Sequence, residues 1–223
     1  MKISEIFYSI QGEGSLAGIP SVFVRTSGCN LRCTWCDTPY TSWNPEGRDI
    51  SVDEIRKQVQ SHGASHVVVT GGEPMIADEI VELTRQLKAA GLHITIETAG
   101  TVSKEVACDL MSISPKLANS TPAGRWSGQH DRLRYQPEVL KKLIQQYEHQ
   151  LKFVVSSPED LAEIEAIVAE TGADRNRVLL MAEGVDAAVI RERAQWIAEI
   201  CKREGFRYSP RLHIDLWGDR RGV

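Results

Sequence analysis

Three cysteines fall within one short stretch, Gly28-Cys29-Asn30-Leu31-Arg32-Cys33-Thr34-Trp35-Cys36-Asp37-Thr38. Thiolates are soft ligands that suit zinc or iron–sulfur clusters. A structural zinc site takes four protein ligands, and no fourth Cys or His lies nearby; the next histidine along the chain is His62. A [4Fe–4S] cluster has four irons, so three cysteines leave one iron open for something else to bind. Two further cysteines, Cys108 and Cys201, stand alone in stretches of helical pattern and read as buried, inert thiols. An odd total of five, in a chain with no export signal, argues against a disulfide framework.

A second group follows the Val67-Val68-Val69 run: Thr70-Gly71-Gly72-Glu73-Pro74. Glycines let a backbone approach a ligand closely, and the acidic group accepts from an ammonium. Further along, Glu97 ends one strand pattern and Ser114-Pro115-Lys116 ends the next. Arg25 offers a planar fork suited to a carboxylate, or a partner for a structural acid.

The elements that must position these residues alternate along the chain. Strands are expected at 21–26, 66–70, 93–98, 110–114, 151–155 and 177–181, rich in Val and Ile and mostly continuous rather than alternating, as strands buried on both faces should be. Helices are expected at 52–60, opened by Ser51 and Glu54 in capping-box spacing. The next is read at 76–90, with Ile76, Ile80, Leu83 and Leu87 on one face. Ser157 and Asp160 open another that ends near Gly172; the longest runs from Asp186 to Gly205. The polar segment 119–135 reads as a long loop. Strand–helix alternation implies an α/β fold with a parallel sheet. Six units are too few for a full eight-unit barrel; a partial (β/α)6 barrel fits, and so does a doubly wound sheet. In both, chemistry is expected at the carboxyl ends of the strands.

With 223 residues, the chain fits a single domain, since one core can grow to roughly 250 residues. No run approaches the ~20 apolar residues of a membrane span. The opening Met1-Lys2-Ile3-Ser4-Glu5-Ile6 lacks the unbroken apolar stretch of a secretion signal, so a cytoplasmic location is expected. The net charge of −4 and the scattered basic residues speak against a nucleic-acid partner.

The spacing C-x3-C-x2-C, with Trp35 directly before the last cysteine, resembles the radical S-adenosylmethionine superfamily. There the open iron binds the amino and carboxylate groups of S-adenosylmethionine, and an electron from the cluster releases a 5′-deoxyadenosyl radical. The resemblance implies Cys29, Cys33 and Cys36 as cluster ligands and Trp35, with Cys36 and Asp37, beside the nucleoside. It implies Gly72 at the methionyl amino group. Glu97 and Ser114, Pro115 and Lys116 correspond to ribose- and carboxylate-contacting positions. Met181, Ala182, Glu183 and Gly184 correspond to further cofactor contacts, although this chain lacks the Gln-Pro pair that relatives can show there.

The opening Glu5-Ile6-Phe7-Tyr8-Ser9-Ile10-Gln11-Gly12-Glu13-Gly14, followed by Gly18, Pro20 and Arg25, narrows the likeness to the 7-carboxy-7-deazaguanine synthase family. The likeness runs from that opening through Cys-Asp-Thr, Thr-Gly-Gly-Glu-Pro and Ser-Pro-Lys to His213. It implies a conversion of 6-carboxy-5,6,7,8-tetrahydropterin to 7-carboxy-7-deazaguanine, with ring contraction and release of ammonia, toward queuosine and related deazapurines. By the same resemblance Ile10, Gln11, Gly12 and Glu13 read the polar edge of the pterin. Arg25 takes its carboxylate, Thr70 and His213 touch it, and the Thr38 hydroxyl contributes to a Mg²⁺ site. An electron donor such as flavodoxin and a homodimer are implied as well. Two other readings share the cysteine loop: an activase that takes hydrogen from a glycine of a protein partner, and a zinc-stabilised binding module.

Overall fold

The Val- and Ile-rich runs are mostly continuous, so most of them need cover on both faces, and the sheet is built accordingly. The computed structural model describes residues 1–223. In chain order the elements are β1 (Lys2–Ile10), β2 (Pro20–Thr26), α1 (Pro39–Ser42), β3 (Arg48–Asp49), α2 (Val52–Ser61), β4 (His66–Gly71) and α3 (Ile80–Ala89). There follow β5 (His93–Thr98), β6 (Leu110–Ile113), α4 (Ser127–Arg134), α5 (Pro137–Gln146) and β7 (His149–Val155). The last are α6 (Asp160–Thr171), β8 (Val178–Ala182), α7 (Ala187–Glu204), β9 (Arg207–Ser209) and α8 (Leu212–Trp217).

One sheet holds all nine strands in the order β3-β1-β2-β4-β5-β6-β7-β8-β9. Every pair from β2 to β9 is parallel, while β1 runs antiparallel to β2 and β3. The parallel strands lie side by side in sequence order. A doubly wound sheet must reverse that order at a switch point; none occurs here. Right-handed crossovers in one direction keep the helices on one face and curl the sheet, giving a partial barrel whose end strands β3 and β9 do not pair. The main core of 38 buried residues lies along this sheet and under its helices, with Val67, Val69, Ile94, Ile96, Met111 and Phe153 fully enclosed. No helix is long and apolar enough to cross a membrane.

The loop after β1 crosses the gap between the sheet's ends. It leaves beside the amino end of β2, where Ile10 pairs with Pro20. Gly14 N then donates to Ser209 Oγ (2.8 Å) at β9, and Ser15 N donates to Gln150 Oε1 (2.9 Å) on β7.

Several elements depart from the sequence reading. The helix expected from Ile76 begins at Ile80, because Pro74–Ile76 closes a single 3-10 turn capped by the Glu73 carboxylate and Ala77 is extended. Ile76 is consequently exposed, while Ile80, Leu83 and Leu87 are buried. The segment read as a loop contains α4, whose His130 is buried against the cysteine loop: its Nδ1 accepts from Arg32 N (3.1 Å) and its Nε2 meets Ser120 Oγ (2.9 Å). Cys201 lies buried in α7, but Cys108 sits in the connection before β6 rather than on a helix. Both thiols are pushed up by burial, to about 12 for Cys108 and about 11 for Cys201, which fits inert roles. Neither β1 nor α5 was expected. The capping of α2 by Ser51, of α7 by Asp186, and the left-handed glycines 172 and 205 closing α6 and α7 are as read.

Candidate active site

A cavity of about 270 Å³ fills the barrel. One wall is the cysteine loop. Gly28 N donates to Thr41 O (2.8 Å), and Glu73 N donates to Gly28 O (2.9 Å). A Cβ on Gly72 would stand 2.0 Å from Gly28 O, so the absence of a side chain there lets the two loops touch. Trp43 Nε1 donates to Cys33 O (3.0 Å) and Thr34 N donates to Ser120 O (2.9 Å), which fixes the loop from outside. Cys29, Cys33 and Cys36 all face the cavity.

These residues fit a cluster better than a single ion. No three His, Cys, Asp or Glu side chains stand close enough together to hold one metal ion, whereas a cubane takes each cysteine on a different iron. Burial pushes the Cys29 thiol up to about 12 and the Cys33 thiol up to about 11. Thiols protonated at neutral pH are poor nucleophiles; a multiply charged metal centre supplies what turns them into ligands.

Around this wall the proposed nucleoside contacts fall into place unevenly. Trp35 lines the cavity, its Nε1 donating to Asn119 O (3.1 Å) and Oδ1 (3.2 Å), with Lys116 Nζ 5.8 Å from the ring centre. Lys116 Nζ donates to Ser114 O (2.9 Å) and Oγ (2.8 Å); Pro115 between them is buried and does not reach the cavity. Gly71 and Gly72 line the cavity, but Glu73 does not. It is 1% exposed and accepts from Thr98 Oγ1 (2.7 Å), Ala99 N (2.8 Å) and Met75 N (3.0 Å). The acid read as an acceptor for a ligand ammonium is thus a brace beneath the turn, and its burial pushes its carboxyl above the usual range. Met181 lines the cavity, whereas Ala182 is packed inside the sheet. Glu183 and Gly184 border a side crevice shared with Trp35 and Asp37.

The opposite wall is assembled from distant parts of the chain. Glu97 at the end of β5 accepts from Gln11 Nε2 (3.0 Å) through one oxygen and from Thr70 Oγ1 (2.8 Å) through the other. Ile10 and Gly12 line the cavity beside them. A Cβ on Gly12 would meet His213 Nδ1 at 2.0 Å, so these two residues pack in direct contact. Glu13 is held by Lys152 at one oxygen and by Arg211 Nε (3.1 Å) at the other. Arg211 also donates to Asp37 and to Gly184 O, joining three loops. Although burial pushes the Glu13 carboxyl up, the Lys152 and Arg211 cations hold it well below the ordinary carboxylate range. Burial pushes the His213 imidazole down, against the pull of Glu13.

Arg25 lines the cavity, and also pairs with Glu5 (2.7 Å), lying 5.5 Å over the Phe7 ring. The pairing with a structural acid is thus present, while the same guanidinium faces the cavity. Thr38 faces the cavity 3.9 Å from Cys36 Sγ, with its hydroxyl accepting from Thr41 Oγ1 (3.3 Å). The tail rims the opening: Arg221 packs 4.0 Å over Tyr40 and pairs with Glu5 (3.2 Å) and Glu46 (3.1 Å).

Sequence reasoning missed Lys152 and Arg211. Lys152 carried a signal, being a charge in the middle of the apolar run Leu151–Val155. Arg211 carried none.

Residues 23–119 match the radical SAM superfamily. The chain is 48% identical to the 7-carboxy-7-deazaguanine synthase of Halobacterium salinarum, over 98% of this chain and 91% of that protein. It is 46% identical to the protein of the same name from Rhodopirellula baltica, over 99% and 88%. Among solved structures it resembles QueE from Escherichia coli, with a TM-score of 0.69 at 27% identity, covering 93% of this chain and 92% of that one. Likeness at this level over nearly the whole length goes beyond a shared barrel, and the chain belongs to the 7-carboxy-7-deazaguanine synthase family of radical S-adenosylmethionine enzymes.

Proposed function

We propose that this single-domain enzyme converts 6-carboxy-5,6,7,8-tetrahydropterin to 7-carboxy-7-deazaguanine with release of ammonia. The observation that carries the reading is Glu97, whose two oxygens bond Gln11 and Thr70 and so tie the loop after β1 to the strand end whose Gly72 touches the cysteine loop. Cluster and cofactor would be held on one wall and the substrate on the other.

Cys29, Cys33 and Cys36 would hold a [4Fe–4S] cluster, and Gly72, Trp35, Glu97, Ser114 and Lys116 would hold S-adenosylmethionine. Bound together, cluster and cofactor supply abstraction of a hydrogen atom from the pterin. The chain's own residues bind and aim the substrate. Gln11 and Glu13 pair the donors of the pterin edge, since leaving such groups buried and unpaired costs ~1–3 kcal/mol. Arg25 takes the carboxylate as a planar fork, while Thr70 and His213 close the remaining polar contacts. The Thr38 hydroxyl is one ligand of a Mg²⁺ ion, a hard cation that keeps several waters and also takes substrate oxygens. An electron donor such as flavodoxin would reduce the cluster, and the enzyme works as a cytoplasmic homodimer.

The test is anaerobic turnover with reductant, S-adenosylmethionine and Mg²⁺. Formation of the deazaguanine product with one ammonia per turnover is expected. A protein that carries the cluster and cleaves S-adenosylmethionine yet leaves the carboxypterin untouched would refute the substrate assignment.

A further inference from the structure

Lys152 lies on β7 between Leu151 and Phe153, both fully enclosed, and is itself only 5% exposed, yet it faces the cavity. Its ammonium has one hydrogen-bond partner, Glu13 Oε2. A buried ion pair of this kind is a poor way to gain stability, because apolar residues of similar volume often do as well or better. The second cation at Glu13 is shared: Arg211 also serves Asp37 and Gly184 O. Lys152 is thus the cation devoted to Glu13 alone.

We infer that Lys152 is a positioning residue for substrate recognition, holding Glu13 as a fixed, charged acceptor for the paired N–H groups of the pterin's guanidine-like edge. The inference rests on the pterin reading above. Each Glu13 oxygen receives one cation and keeps a lone pair for one substrate N–H, and a carboxylate taking two parallel N–H bonds matches that edge in shape and charge. A protonated Glu13 would offer an O–H where the substrate presents another donor. The groups facing Glu13 are Lys152 from β7, Arg211 following β9 and His213 from α8, with Asp37, which shares Arg211, and Glu97, which also acts on Lys152, as the nearby like charges.

The experiment measures carboxypterin binding anaerobically to the cluster-loaded protein with S-adenosylmethionine, between pH 5.5 and 8. Wild type is expected to bind with an affinity set by Glu13 in its charged state throughout. Lys152→Met should lose about 10- to 100-fold, the worth of a hydrogen bond to a charged group. Its affinity should fall further as the pH drops, since buried Glu13 then gains a proton more easily. Lys152→Arg should restore a pH-independent affinity. The double variant Glu13→Gln/Lys152→Met removes the charges together and should bind no worse than Glu13→Gln, which keeps the test open if Lys152→Met fails to fold.

A Lys152→Met protein with wild-type affinity at every pH would overturn the inference. So would a further loss in the Glu13→Gln background, or an affinity of Lys152→Arg that falls with pH as the Met variant's does. Failure of the wild type itself to bind the carboxypterin would instead refute the pterin reading, and this role with it.

Discussion

The cysteine wall of the cavity comes from consecutive residues 28–38 at the carboxyl end of β2, whereas the facing wall joins Glu13 to Lys152 and Arg211, 139 and 198 positions away along the chain. The walls differ in chemistry too. Around Cys29 and Cys33 the surroundings are mostly apolar, with Leu31, Ala99 and Leu133 packed against them, and burial raises the thiols. Around Glu13 the charges are matched in place. A cofactor that brings its own charge calls for a dry, locally encoded socket; a polar substrate calls for a preset arrangement of donors and acceptors, which only the folded barrel assembles.

The largest effect is expected on the cysteine side. Cys33→Ala should abolish both cluster and turnover while the far-ultraviolet spectrum of the barrel stays unchanged; retained iron with full turnover would show that the ligand set is wrong. Gly72→Ala comes next. Its Cβ would stand 2.0 Å from a backbone oxygen, Gly28 O, which cannot swing away. We expect a stability loss of about 1–3 kcal/mol in denaturant melts, together with weakened retention of S-adenosylmethionine.

Glu13→Gln sharpens the contrast through pH. The folded Glu13 carboxyl lies below its ordinary value of 4.5. Its contribution to stability is therefore fully present above about pH 4.5 and is lost as pH falls from there toward the lower folded value. The stability gap between wild type and Glu13→Gln should be flat from pH 8 to about 5 and shrink below that. A gap that grew on acidification would contradict the ion pairing.

Gly12→Ala is a milder counterpart of Gly72→Ala, since its Cβ would meet the side chain of His213, which can turn aside. Carboxypterin affinity should drop by about tenfold, the size of one lost hydrogen bond, with cluster content intact. The smallest effect belongs to Cys201→Ala, a thiol buried in α7 within the main core and lining neither wall of the cavity. Trimming one buried sulfur should cost about 1 kcal/mol in thermal melts, with iron content and turnover at wild-type levels.

The same contrast explains what the sequence revealed. The alternation of apolar runs with capped helices was enough for the parallel sheet, because burial on both faces and a cap such as Asp186 are local signals. The strand order that selects a partial barrel over a doubly wound sheet depends on how the strands pair, which no local pattern states. The expectation of chemistry at the carboxyl ends of strands pointed to the cysteine loop, Thr70–Gly72, Glu97 and Lys116, and these residues line the cavity. It could not place Gln11 and Glu13, which leave β1 beside the amino end of β2 and reach the cavity by crossing the barrel's gap. Glu73 was misread for a related reason: its position in the motif suggests a ligand contact, but its direction is set by Thr98 and Ala99 on a neighbouring strand and loop. Lys152 was visible as a charge within an apolar strand; that Glu13 is its partner was not.

The most direct test is metal analysis of anaerobically reconstituted protein, with electron paramagnetic resonance of the reduced form before and after adding S-adenosylmethionine. About four irons and about four sulfides per chain are expected, with a signal that changes when the cofactor occupies the iron that no cysteine holds. Stoichiometric zinc without iron, or a reduced cluster whose signal is indifferent to S-adenosylmethionine, would contradict a three-cysteine cluster with one open iron.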